Sequence, residues 1–217
     1  MIENFQRNLQ KQILFLHGAG QVTKERGTPI ATLIAKDYGI SSFLFDFSGD
    51  GVSSGTLQTS SLKKRINESI ATLSSSGFSE QISICAFSMG GHIALELLTL
   101  VKVRSLILFY PAIYIADAVD FPFSDSCFTD TIRRERSWET SLVLKNLNTF
   151  TENLLIISGD KDTVIPHEVN ELILSNAIKA KRKYLITINN APHVLIPFLI
   201  EKKARFDEVC KIIAEFT

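Results

Sequence analysis

Apolar residues gather along the chain in six short runs, at residues 12–16, 42–46, 82–85, 106–110, 154–158 and 184–188, each rich in Ile, Leu, Val and Phe. Most are continuously apolar and do not alternate with polar residues. That is the pattern of strands covered on both faces, as in a parallel sheet. Segments with helical punctuation separate the runs. Thr28 and Pro29 supply a cap and a first residue for a helix that Gly39 stops. Residues 62–75 read as a helix ending before Gly77, Pro166 opens another that runs to about residue 178, and a last one is expected over residues 198–216. Residues 137–147 are expected to add a helix ahead of the fifth run. This alternation predicts a three-layer α/β architecture, a mostly parallel sheet of about six strands with helices on both faces. Loops at the carboxyl ends of such strands form the natural site. Only residues 1–11 precede the first run, which leaves little room for an amino-terminal antiparallel hairpin.

Length and composition narrow the class. With 217 residues, 45% of them hydrophobic, and a formal net charge of +0, the chain is expected to form a single domain over 1–217 with a substantial core. Neutrality and the lack of a long like-charge block argue against nucleic acid or an anionic membrane surface as partner. The longest apolar stretch, residues 106–116, is interrupted by Pro111 and falls short of the roughly 18 residues that a membrane span requires. The first twenty residues do not resemble a secretory signal. Cys85, Cys127 and Cys210 are an odd number, widely spaced and without a Cys-x-x-Cys pair, so neither a disulfide framework nor a metal site is expected. A cytoplasmic location fits best.

The polar residues with chemical potential fall where strands end. Residues 86–91 read Ala-Phe-Ser-Met-Gly-Gly between a strand-like and a helix-like run. This has the form of a serine on a strand-to-helix elbow, which needs small residues two positions either side of the serine. Gly90 meets that need, and Ala86 departs from the usual glycine by one methyl group. After the first run stands His17-Gly18-Ala19-Gly20, and after the second Asp46-Phe47-Ser48-Gly49-Asp50-Gly51-Val52-Ser53. Asp160 and Asp162 follow the fifth run and His193 the sixth. A serine hydroxyl is a weak nucleophile at neutral pH. It needs a neutral imidazole to take its proton and a carboxylate to hold that imidazole in the right tautomer. Ser88, His193 and Asp162 can fill these roles. Of the other histidines, His17 is placed to order the loop it begins, His92 to point along its helix, and His167 to be exposed.

On these motifs, and over nearly its whole length, the chain resembles the α/β-hydrolase superfamily, in which serine, acid and histidine follow in this order. Residues 46–53 and 159–166 together look most like the serine aminopeptidase-like and cinnamoyl-esterase-like serine hydrolases. The resemblance implies a catalytic set of Ser88, Asp162 and His193. Asp162 is preferred to Asp160 because those families place the acid four residues before the proline of this loop. It also implies oxyanion donors at the backbone N–H groups of Ala19 and Met89, with no metal or organic cofactor. Asp46 is expected to accept hydrogen bonds from the glycine loop that follows it. Relatives often carry arginine or asparagine at position 48 and histidine at position 50, where this chain has Ser48 and Asp50. Asp50 could repel anionic substrates at a pocket mouth or point into solvent.

The family's lid would fall in residues 111–136, so any lid is short. Tyr114, Phe121, Phe123 and Phe128 in that segment fit an apolar ligand pocket or ordinary core packing equally well. The expected activity is hydrolysis of small-molecule carboxylic esters through an acyl-enzyme. A thioesterase or small-peptide hydrolase would use the same side chains. A non-catalytic ligand-binding protein on this scaffold is the alternative of another class. Serine at position 88 excludes the aspartate-nucleophile dehalogenases and epoxide hydrolases.

Overall fold

The computed structural model describes residues 11–20, 22–77 and 81–217. Six parallel strands form one sheet: β1 (Gln12–Leu16), β2 (Ser41–Leu44), β3 (Ile82–Phe87), β4 (Val103–Phe109), β5 (Asn153–Gly159) and β6 (Arg182–Ile188), in the order β2-β1-β3-β4-β5-β6. Chain progression moves outward from β1 to β2, then crosses back to β3 and continues the other way. The carboxyl ends of β1 and β3 therefore flank the point where the order reverses, which is where open α/β sheets leave a crevice.

The continuous apolar runs are explained by layers on both faces. Successive side chains of a strand point to opposite faces. Ile13, Phe15, Cys85, Phe87, Ile107, Phe109, Leu155 and Ile157 pack against α1 (Thr28–Tyr38), α7 (Leu195–Ile200) and α8 (Lys203–Phe216). The intervening residues, among them Leu14, Leu16, Ile84, Ala86, Leu108 and Ile156, pack against α2 (Leu62–Ser75), α3 (Met89–Leu97), α5 (Val143–Leu147) and α6 (His167–Asn176). Edge strand β6 keeps Arg182, Lys183 and Tyr184 exposed, and charges of this kind discourage pairing with another chain.

Several elements differ from the sequence expectation for local reasons. Strands β4 and β5 begin earlier because polar Ser105 and Asn153 join the ladder in register, and the Ser105 hydroxyl donates to the Phe216 carbonyl. Gly27 takes the cap position of α1 and Thr28 its first turn, since a side chain at residue 27 would lie 2.7 Å from the Phe15 ring. The single helix expected at 198–216 is two, α7 and α8, because Lys202 leaves helical geometry at φ −114° and ψ 68°. The helix expected over 137–147 is a 3-10 turn, Ser137–Thr140, followed by the five residues of α5. Extended Ser141 separates them and donates its hydroxyl to the Tyr114 carbonyl.

Between β4 and α5 lies α4 (Ser126–Ile132). Around it Phe128 and Ala118, with Tyr114, Phe121 and Phe123, form a small cluster on Leu62 and Met89, so these aromatics act as core. The reading of residues 1–11, which left little room for an amino-terminal hairpin, falls almost wholly on residues outside those described. No helix among the described residues is long and apolar enough to cross a membrane. Cys85, Cys127 and Cys210 are all free thiols.

Candidate active site

Ser88 sits between β3 and α3 with φ 50° and ψ −118°, a conformation that costs a non-glycine residue about 1–3 kcal/mol. Neighbouring backbone over-determines it. The Ser88 N–H donates to the Phe109 carbonyl at 3.0 Å, and the Ser88 carbonyl accepts from Gly91 at 2.8 Å and Ala112 at 2.9 Å. Helix α3 then passes directly over β1, where a side chain at Gly90 would lie 2.4 Å from the Leu16 carbonyl. On the strand side, Ala86 is fully buried between Leu16 and Leu108 in the ladder, and its methyl group is accommodated.

The acid and the imidazole come from the ends of β5 and β6. Asp162 Oδ1 accepts the N–H groups of Val164 and Ile165 at 2.8 and 2.9 Å. Its Oδ2 lies 2.8 Å from His193 Nδ1, and His193 Nε2 lies 3.2 Å from Ser88 Oγ. A carboxylate opposite Nδ1 places the ring proton there and leaves the Nε2 lone pair facing the hydroxyl. Burial alone would raise the Asp162 pKa, but the bonds from His193, Ile165 and Val164 outweigh it and hold the carboxyl below its ordinary value.

The spacing of acid and imidazole is set by backbone against backbone. Ala191 passes so close to Gly159 that a side chain there would lie 2.1 Å from the Ala191 carbonyl, which also accepts the Lys161 N–H at 3.0 Å. The Tyr110 ring packs on the imidazole, centroids 4.6 Å apart. Asp160 donates its N–H to the Ile188 carbonyl, and of the two candidate acids it is Asp162 that hydrogen-bonds to the imidazole.

The loop after β1 runs against the serine. A side chain at Gly18 would lie 3.1 Å from Ser88 Cβ and 3.7 Å from Oγ. Ala19 follows, exposed at the mouth, and Met89 is the first residue of α3, where a backbone N–H has no partner within the helix. His17 orders this loop as its position suggests. Its Nε2 accepts from the Phe47 N–H at 3.2 Å, so Nδ1 carries the proton and donates to the Gly18 carbonyl at 3.0 Å. Burial pushes the His17 pKa down to about 4, keeping the ring neutral. His92 is buried inside α3 and accepts from the Tyr114 N–H, its pKa lowered by burial to about 3, and His167 is exposed at the start of α6. Among the described residues no group of three or more His, Cys, Asp or Glu side chains is arranged to hold a metal ion.

No protein-family profile and no curated protein sequence matches the chain. Solved structures do. A monoacylglycerol lipase from Paleococcus ferrophilus superposes with a TM-score of 0.70 at 16% identity, over 95% of each chain. Est1E from Butyrivibrio proteoclasticus, solved with ferulic acid bound, gives 0.69 at 18% identity over 95% of this chain and 89% of its own. The mouse alpha/beta hydrolase domain-containing protein 10 gives 0.68 at 17% identity over 95% and 89%. The chain has the α/β-hydrolase fold. In α/β-hydrolases the three partners follow in the order serine, acid, histidine, and the residues that meet here are 88, 162 and 193.

Within this α/β-hydrolase frame the loop after β2 departs from the sequence expectation. Asp50 lines a cleft with Gly20, Gly49, Gly51 and Gly55, but its carboxylate does not point into solvent. It is 5% exposed and ion-paired with the guanidinium of Arg65 at 2.5 Å. The Asp46 side chain bonds to Lys24, whose N–H it accepts at 2.7 Å and whose ammonium lies 3.2 Å away, while the following loop reaches Asp46 at its backbone carbonyl, which accepts the Ser53 hydroxyl at 2.8 Å. Gly51 fits closely against that carboxylate. Sequence reasoning missed Arg65, the largest fully buried side chain among the described residues. A signal was present: Leu62, Arg65, Ile66 and Ser69 share one face of α2, so an arginine stands within the stripe that turns inward.

Proposed function

We propose that this chain is a serine hydrolase that cleaves carboxylic esters of small molecules through an acyl-enzyme. The observation that carries the reading is the unbroken hydrogen-bonded chain from Asp162 through His193 to Ser88, at 2.8 and 3.2 Å, on an elbow that exposes the hydroxyl to the crevice. His193 Nε2 takes the Ser88 proton as Oγ attacks the ester carbonyl. Asp162, held ionised by its own hydrogen bonds, keeps the tautomer and stabilises the imidazolium that forms. The developing oxyanion meets the N–H groups of Ala19 and Met89, the latter at the positive end of α3. His193 then protonates the leaving alcohol, and water repeats the sequence on the acyl group.

Esters as substrates are favoured by the company of the fold, which includes proteins described as a monoacylglycerol lipase and an esterase from Exiguobacterium antarcticum. The reading is tested with a fluorophosphonate probe and short-chain nitrophenyl esters, beside Ser88→Ala. Labelling and turnover in the parent protein, both lost in the variant, are expected. Persistence of both in the variant would move the nucleophile elsewhere. Absence of both in the parent would favour a binding protein on this scaffold.

A further inference from the structure

We propose that Arg65 is a positioning residue for the oxyanion hole, clamping together the two backbone segments that would supply its donors. This role rests on the ester-hydrolase reading above. The guanidinium is completely buried and touches both sides of the hole. Its Nη1 donates to the Gly18 carbonyl at 3.0 Å and lies 3.9 Å from Met89 Sδ, while Nη2 is anchored by Asp50. The flat face packs between the rings of Phe47 and Phe123, at 4.8 and 5.0 Å from their centroids. Arg65 thus reaches the Gly18–Ala19 peptide and the Met89 side chain at the same time.

The Gly18 carbonyl belongs to the same peptide unit as the Ala19 N–H. That unit is planar and trans, so the N–H points opposite to its carbonyl. Arg65 and His17 Nδ1 both donate to this oxygen, each at 3.0 Å, which fixes the direction of the N–H without touching it. Donation from a cation also polarises the amide and strengthens its N–H as a donor. Asp50 largely offsets the positive charge toward the site, so the contribution of Arg65 is geometric more than electrostatic. The arrangement also accounts for the unusual Asp50. This chain anchors its oxyanion loop from α2, which in addition accepts the Ser48 N–H on Glu68 at 3.0 Å.

The test compares the parent protein with Arg65→Met, Arg65→Lys and Asp50→Asn, with turnover expressed per site titrated by the fluorophosphonate so that misfolded molecules drop out. Losing an oxyanion donor costs about 10² to 10³ in rate, so misaiming one should lower kcat per site about 10- to 100-fold in Arg65→Met. KM should stay within about threefold, because the donor acts on the transition state more than on the bound ester. Affinity for a trifluoromethyl ketone, which forms a tetrahedral oxyanion on the serine, should fall by the same factor as kcat/KM. Arg65→Lys should recover part of the loss, since an ammonium can reach one of the two anchors only.

Asp50→Asn separates position from charge: a looser guanidinium lowers kcat, whereas an unmasked positive charge would raise it. A merely structural arginine would change the titrated fraction and leave kcat per site within about twofold, and that result overturns the proposal. Should Arg65→Met not fold, the same criterion applied to Arg65→Lys and Asp50→Asn decides. An active, labelled parent with indifferent variants sinks the role of Arg65 alone. A parent that neither labels nor turns over ester sinks the hydrolase reading and this role with it.

Discussion

The two sides of the crevice are held by different forces. On the side of β3, β5 and β6, Ser88, Asp162 and His193 are fixed by backbone: the Ser88 carbonyl shared by Gly91 and Ala112, the two N–H groups on Asp162, and the contact of Gly159 with Ala191. On the side of β1, β2 and α2, the loops are fixed by buried polar side chains, with Arg65 on Asp50 and Gly18, Lys24 on Asp46, and neutral His17 between Gly18 and Phe47. Backbone contacts depend on residues having no side chain in the way, and the carboxylate among them, Asp162, is held below its ordinary pKa by its bonds from His193, Ile165 and Val164. Buried side chains depend on each partner being present and in the right protonation state, because an unpaired charge in the interior is costly. One crevice therefore has a rigid wall and a wall sensitive to composition and pH.

Substituting the acid should produce the largest effect. Asp162→Asn is expected to lower kcat by about 10⁴ through loss of the correct tautomer, while Asp160→Asn stays within about threefold. Steady-state kinetics on a nitrophenyl ester decides, and equal losses would remove Asp162 from its assigned place. Gly159→Ala probes the backbone wall itself. Its methyl group would meet the Ala191 carbonyl at 2.1 Å, so a loss of about 3 kcal/mol or more is expected in urea unfolding. A variant as stable as the parent would mean that this wall yields easily.

The other wall should respond to acid through His17, and helix α3 behind Ser88 through its buried His92. Burial holds His17 near pKa 4 and His92 near 3, against an ordinary 6.5, so the folded chain leaves both neutral where the unfolded chain takes up protons. Stability is thus complete above pH 6.5 and falls on acidification, by about 2 kcal/mol per histidine by pH 5. A urea midpoint that does not move across that window would contradict neutral burial. The smallest effect is expected at the cap of α2, where the Ser61 hydroxyl accepts the Lys64 N–H at 3.1 Å. Ser61→Ala should cost about 1 kcal/mol, measurable by thermal melting, and reduce turnover only to the extent that Arg65 shifts.

How much of this can be read along the chain follows the same division. The six strands, the helix over 62–75 and the elbow at Ser88 are legible because each is specified within a few residues: an apolar run, a Ser61 cap with Gly77 beyond the end, a Phe-Ser-Met-Gly sequence. The preference for Asp162 over Asp160 needed the proline offset of related proteins, because the turn that presents two N–H groups to the Asp162 carboxylate is not legible along the chain. The break at Lys202 and the shortness of α5 were not legible. The first leaves no proline or glycine at the kink, and the second turns on a bond from Ser141 to a carbonyl 27 residues earlier.

Arg65, Asp50 and Asp46 show the boundary most sharply. Sequence reading left Asp50 between a pocket mouth and solvent and could not supply its partner, which lies 15 residues on, nor the carbonyl that shares this partner, 47 residues before Arg65. By itself the sequence determined the alternation of strands and helices, the layers on both faces and the strand ends after which Ser88, Asp162 and His193 stand, since these are written in local periodicity and in turn-forming residues. Only the tertiary structure decided which buried charges meet and which loops they hold, because pairing across distant segments depends on where the packed sheet carries each one, and desolvation then forbids any of them to remain alone.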